Sequence, residues 1–188
     1  MDIQAYDFPI TMGQIPRDHG YPVFSGLTAQ HPFLHGRGDV QIAPIRGTRR
    51  GDILKMDRKS VLHIRGISPE EANLISGSWF DVQDSVLLLG RATPKEITPT
   101  QRLVSRLVVL RDAVQENDFL RVLGEILPIQ ATVRLGKQQA TKIKGRTMIG
   151  HTVHLKDMNP EDSLLIQGRG LGWGTSMGCG VFYPGTLS

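Results

Sequence analysis

The chain has 188 residues, 39% of them hydrophobic, a formal net charge of +4, six histidines and one cysteine. The apolar share is enough for a packed core in one large domain or two small ones, since domains run from about 50 to 250 residues. Cys179 alone excludes an intramolecular disulfide and the cysteine-rich zinc sites, and no run approaches the roughly 20 apolar residues of a membrane span.

The N-terminal segment Met1–Asp7 carries two acids and no basic cluster, unlike a secretory leader, so a cytoplasmic chain is expected. Tyr6–Met12 then reads as a strand, and Asp18–His31, with a possible run to His35, as a helix. Val40–Ile45 and Asp52–Met56 read as strands around the turn Arg46–Gly51. Ser60–Ile67 is a strand, Pro69–Ser76 a helix and Phe80–Leu89 a strand. Residues 93–100, with Pro94 and Pro99, read as a linker between units at 1–92 and 101–188. Beyond it, Leu103–Arg111 is a strand and Asn117–Leu127 a helix. Ala131–Leu135 and Thr141–Lys156 are strands around Gly136–Gln139. Pro160–Gln167 is a helix and Gly180–Tyr183 a last strand.

The two halves repeat each other. His63–Gly77 aligns without gaps on His154–Gly168, at an offset of 91 residues. Each copy ends a strand and opens a helix, with Ser68 or Asn159 as N-cap, Pro69 or Pro160 at the first helical position and acids in the first turn. The order β-α-β-β-α-β therefore occurs twice, an α+β fold of tandem ferredoxin-like units. Helices on one face of each antiparallel sheet leave the other face open to a ligand.

Cations gather on one phase of a strand, as a surface for a polyanion such as nucleic acid would need. Every second residue from Lys142 gives Lys142, Lys144, Arg146, Met148, Gly150, Thr152, His154 and Lys156, while Ile143, Thr147, Ile149, His151, Val153 and Leu155 hold the other phase. Arg46, Arg49, Arg50 and Lys137 add cations at turns, Arg37 sits between two glycines, and Arg102 and Arg106 open the second half. Such contacts position RNA and make its binding salt-dependent. Six of the 21 glycines lie between Gly168 and Gly180. At Gly170, Gly172, Gly174 and Ser176 that stretch could bring backbone N–H groups close to phosphate, with Arg169 on phosphate and Trp173 on a base. It lacks the Lys-Ser or Lys-Thr of a Walker loop. No His/Asp/Glu group has metal-ligand spacing, and no cofactor is expected.

The run Gly170–Phe182 resembles the Gly-rich loop of the CRISPR-associated repeat-RNA endoribonucleases, the family numbered six in the Cas series, within the RAMP superfamily. Asp18–Leu27 with Leu34-His35, Ser105–Val108 and Ile143–Thr147 are most similar to its compact myxobacterial-type variant. The resemblance implies binding of a CRISPR repeat transcript, often as a hairpin, and metal-independent cleavage by 2′-OH attack, leaving a 2′,3′-cyclic phosphate and a 5′-OH. It also admits a non-catalytic RNA-holding subunit of a CRISPR effector complex, and other effector subunits as partners. The catalytic histidine of the family lies at or just after the first helix. On a helix continuing through it, His35 falls within roughly 40° of Tyr21. His35 with Tyr21 is thus the first choice, and His31 and His19 stay open. His63 and His154, kept by both repeats, read as structural, and His151 as packed.

Overall fold

The computed structural model describes residues 3–127 and 129–185; Met1 and Asp2, part of the N-terminal reading, lie outside them. The first half contains β1 (Ala5–Met12), β2 (Gln14–Pro16), α1 (Gly20–Gln30), β3 (Gln41–Ile42), β4 (Thr48–Arg50), β5 (Ile53–Lys55), β6 (Val61–Arg65), α2 (Pro69–Ile75), β7 (Trp79–Val82) and β8 (Ser85–Leu89). After β9 (Thr93–Pro94) come β10 (Leu103–Val108), α3 (Glu116–Ile126), β11 (Thr132–Ile143), β12 (Arg146–Lys156), α4 (Pro160–Arg169) and β13 (Tyr183–Pro184).

The duplication is visible in the strand orders. The first sheet runs β3-β6-β1-β8-β7 and the second β11-β12-β10-β13. In each half, the second strand of the βαββαβ unit lies beside the third, then the first, then the fourth: the tandem ferredoxin-like fold. Alternation decides which face is covered. Tyr6, Phe8 and Ile10 of β1 are buried with Val23, Phe24 and Leu27 of α1, while Asp7 and Pro9 point away. Val153 and Leu155 of β12 are buried with Phe119 and Leu123 of α3. Each such side chain contributes about 1.5–3 kcal/mol on burial. The repeated helix openings behave as their residues demand: the Ser68 side chain accepts from Glu71 N–H at 3.2 Å, and Asn159 Oδ1 from Asp162 N–H at 2.8 Å.

Several boundaries differ from the sequence reading. Helix α1 stops at Gln30 because Pro32 disfavours helix at His31, and a single 3-10 turn, Pro32–Leu34, follows. The helical phase relating Tyr21 to His35 therefore does not apply. Phe80–Leu89 is a hairpin, turned at Gln83, whose φ is 55°. Thr48–Arg50, read as part of a turn, is a strand; with β5 and β2 it makes a small third sheet. Thr93 and Pro94, read as linker, pair with Asp7 and Tyr6 of β1.

The largest correction concerns the basic strand. β11 is continuous through Gly136–Gln139, where its register shifts between Leu135 and Gln138, and the chain reverses instead at Lys144-Gly145. Both have positive φ, 50° and 77°, the requirement of the tightest hairpin turn. Lys142 therefore pairs with Thr147, and Arg146 with Ile143. Cross-strand partners share a face, so Lys142 and Arg146 point to opposite sides of the ribbon and are not one row of cations.

Arg65 bolts the halves together. It is 2% exposed, and its Nη1 donates to the carbonyls of Gln167 (2.7 Å) and Phe182 (2.9 Å), while its Nε donates to His63 Nε2 (3.1 Å). Burial, opposed by Tyr183 and Asp7, lowers its pKa. Its register partner Gln41 donates from Nε2 to the carbonyls of Gln167 (3.1 Å) and Gly168 (2.6 Å). Arg65→Met is expected to lower stability by about 2–4 kcal/mol, because the Phe182 carbonyl and His63 Nε2 lose their donor and the Gln167 carbonyl keeps only Gln41. Urea unfolding checks this; a change below about 1 kcal/mol would show the seam to be held elsewhere.

Candidate RNA-processing site

The expected site residues fall on two surfaces. The first is a cleft of about 1280 Å³ between the open sheet faces. Asp7, His63 and Arg65 line it from the first half, and Val104, Arg106, Thr152 and Tyr183 from the second; Arg17, Arg46, Lys59 and Lys95 add charge at its margins. Arg46 and Arg106, expected RNA contacts, thus share one surface. Arg102, just before β10, is exposed and does not line the cleft. Tyr183 presents a buried hydroxyl with no partner among the described residues, and burial raises its pKa despite the Arg65 charge.

The second surface gathers α1, the Gly-rich loop and the tip of the β11–β12 hairpin. A small core of Leu107, Val109, Ile143 and Cys179 joins them, with Tyr21, Met148, Trp173 and Met177 packed on it. Burial pushes the Cys179 thiol up to about 11, so it is a packing group here. The loop is a fixed knot more than an open cradle. The N–H groups of Leu171, Trp173, Cys179 and Gly180 donate to Gly180, Val109, Gly174 and Leu107 carbonyls, at 2.7–3.0 Å. Gly170, Gly172 and Gly174 have φ of 68°, 78° and 83°, a left-handed backbone that other residues adopt at a cost. The N–H groups of Gly172, Gly174 and Ser176, three of the expected cradle positions, are not among those donors; Gly172 is exposed and Gly174 and Ser176 are half-buried, whereas the Gly170 N–H is spent on the Ile166 carbonyl. Trp173 is half-buried with the Arg111 guanidinium 5.6 Å above its ring centroid, a stacking place the sequence reading had left for a base. Arg169, at the end of α4, is exposed, as are Arg49, Arg50, Lys137, Lys142, Lys144 and Arg146.

Arg37 is a correction. Its Nε and Nη2 clamp the Asp39 carboxylate at 3.0 and 2.5 Å, its Nη1 reaches Glu71 at 2.6 Å, and Nη2 also donates to the Gly66 carbonyl at 2.6 Å. The carboxylates hold its pKa up. A guanidinium occupied this way is a structural tie, not a phosphate contact.

The histidines separate by what their ring nitrogens do. His19 is buried; its Nδ1–H donates to the Arg17 carbonyl at 3.0 Å, and its Nε2 accepts from Ile45 N–H at 2.9 Å. A carbonyl only accepts and an amide N–H only donates, so this ring is neutral and fully used. Burial lowers its pKa. His31 donates from Nε2 to Ser78 Oγ at 3.1 Å, since the Ser78 hydroxyl is spent on the Ile75 carbonyl, and burial lowers its pKa too. His63 donates to Asp7 at 2.6 Å and accepts from Arg65; burial, then the Arg65 charge, keeps it neutral. His151 packs 4.7 Å from Phe119 and bonds the Val114 carbonyl, as its apolar phase suggested. His35 is exposed, and its ring makes no hydrogen bond among the described residues. Its centroid lies 6.3 Å from Phe24, one helical turn along α1 from Tyr21. His154, dismissed in the sequence as structural, is also without a ring partner among the described residues and lies on the open face of the second sheet, opposite Val104. The repeat pattern hid this, because its counterpart His63 is tied and it is not.

Among the described residues no helix is long and apolar enough to cross a membrane. A family model described as Cas6 Crispr matches residues 5–186. The CRISPR-associated endonuclease Cas6 of Myxococcus xanthus (strain DK1622) is 30% identical over 182 residues, covering 94% of this chain and 79% of that protein. Three solved structures share the fold at low identity. A RAMP protein that binds different RNA substrates superposes with a TM-score of 0.68 at 12% identity, over 95% of this chain and 98% of the other. A Cas6-related protein from Pyrococcus furiosus gives 0.67 at 14% over 97% and 98%. Thermus thermophilus Cse3, bound to an RNA representing a pre-cleavage complex, gives 0.56 at 13% over 97% and 98%. A match along almost the entire chain, a relative at this identity and the doubled strand order agree: the chain belongs to the Cas6 family of CRISPR-associated proteins.

Proposed function

We propose that the chain is an endoribonuclease that matures CRISPR repeat transcripts in the cytoplasm, using the ribose 2′-OH as nucleophile and His35 as the proton-transfer group. The carrying observation is the choice among histidines: His19 and His31 spend ring nitrogens on protein partners, while His35 is exposed and presents its ring beside α1. Cleavage needs a base at the 2′-OH, an acid at the 5′ oxygen and positive charge at the phosphate. Imidazole supplies either proton role near neutral pH. Lys142, Lys144 and Arg146 at the hairpin tip supply charge beside the loop, Arg46 and Arg106 hold a flanking strand in the cleft, and exposed Arg102 adds charge just before β10. The RNA partner is read as a repeat hairpin, with other effector subunits binding the product complex.

The test is incubation of the protein with end-labelled repeat RNA in excess EDTA. The expected products carry a 2′,3′-cyclic phosphate and a 5′-OH, and a substrate with 2′-deoxyribose at the cut stays intact because the nucleophile is gone. A 3′-OH product, or cutting of the deoxy substrate, would exclude the mechanism.

A further inference from the structure

The tetrapeptide Asp18-His19-Gly20-Tyr21 ties α1 to three other parts of the molecule. Each of its residues meets a different part of the molecule. His19 joins Arg17 to Ile45, on the segment after β3. Gly20 lies against the Met177 carbonyl of the Gly-rich loop, so closely that an added Cβ would stand 2.1 Å from that oxygen. Tyr21 packs on both the first-half core and the small junction core. Asp18 reaches the hairpin: its Oδ1 accepts from the Thr141 hydroxyl at 2.5 Å and its Oδ2 from Lys142 N–H at 2.7 Å. Since β11 is the outer strand of its sheet, an outward N–H on it has no ladder partner. Asp18 takes that donor and ends the exposed edge where the basic tip begins.

We infer that Asp18 is a positioning residue: it sets the height of the Lys142–Arg146 tip over α1, so that a cation of the tip and His35, which follows α1, address one ribose-phosphate. Thr141 is buried, which fixes the strand at that point, and Lys144-Gly145 lies two residues beyond Lys142. A ribbon held at Lys142 has a short free end; without that tie, the whole segment past the register shift at Leu135–Gln138 can pivot. Charge at the tip would survive, but its alignment would not, and misplacement by about 1 Å is enough to cost on the order of 10²-fold in rate. The rate consequence rests on the endoribonuclease reading, whereas the tie itself does not.

The experiment compares wild type, Asp18→Ala, Asp18→Asn, Thr141→Val and the Asp18→Ala/Thr141→Val double variant. It uses amide exchange of the RNA-free protein, equilibrium binding of repeat RNA, and single-turnover cleavage at saturating RNA. In Asp18→Ala the Lys142 amide should exchange at least about 10-fold faster. Cleavage should fall about 10- to 100-fold, while affinity changes less than about threefold because the phosphate-binding cations remain. Asp18→Asn, which keeps one acceptor, should recover part of the rate, and the double variant should be no slower than Asp18→Ala. Unchanged Lys142 exchange, multiplying losses in the double variant, or a loss wholly in affinity would overturn the inference. A wild type that cuts no repeat RNA sinks the nuclease reading instead, and the Lys142 exchange then decides alone whether the tie exists.

Discussion

Replacing His35 by alanine is expected to slow cleavage of repeat RNA by about 10²- to 10⁴-fold, the range of a lost acid or base, with RNA affinity nearly intact. The binding surfaces explain the second half of this expectation. In the proposed reading the phosphate contacts are made in the cleft and at the hairpin tip, whereas His35 follows the 3-10 turn after α1 and does not line the cleft. The residue is exposed, so its truncation opens no cavity and the fold should not change. Single-turnover kinetics at saturating RNA separate the two quantities. A variant cutting at the wild-type rate would move the assignment to His154 first, because that ring also lacks a protein partner among the described residues, whereas His19 and His31 would have to release theirs.

Gly20→Ala should be nearly as damaging, for a steric reason. The added methyl would sit 2.1 Å from the Met177 carbonyl oxygen and 3.0 Å from its carbon, both backbone atoms in a loop already tied down by Val109 and Leu107. Neither side can yield by rotating a side chain, so α1 and the loop must separate. Overpacking of this kind costs about 1–3 kcal/mol, and the shift carries Tyr21 and Asp18 away from the hairpin. Cleavage is expected to drop by about 10²-fold or more, with a lowered melting temperature. An alanine variant of wild-type stability and rate would show that the α1–loop contact is loose. Gly38, with nothing within 4 Å of its added Cβ and no positive φ, is the matched control for the steric argument.

The doubled fold was legible because each half advertises it locally. Ser68-Pro69 and Asn159-Pro160 cap helices by the same chemistry at the same place, and strand alternation marked which faces of β1 and β12 are covered. What escaped was decided by pairs far apart in the chain. Lys144 carries positive φ without being glycine, so the true reversal looked like strand, and the richer Gly136–Gln139 looked like the turn. Arg37 looked free because Glu71, 34 residues on, gives no local sign of capturing it. For the site, sequence could nominate three histidines near the first helix but not see that Ile45 and Ser78 use two of them. The repeat aligns the backbones of His63 and His154 but not their rings: His63 is tied to Asp7 and Arg65, whereas His154 has no ring partner among the described residues.

The carbonyl of Gln167 accepts from both Arg65 and Gln41, and it lies in the last turn of α4, three residues before the Gly-rich loop begins its left-handed backbone at Gly170. The gap between the sheets and the pose of the loop are therefore geared through one peptide unit. A displacement that widens the gap would be passed through that peptide unit to the loop, so the seam and the loop are expected to shift as one body rather than independently.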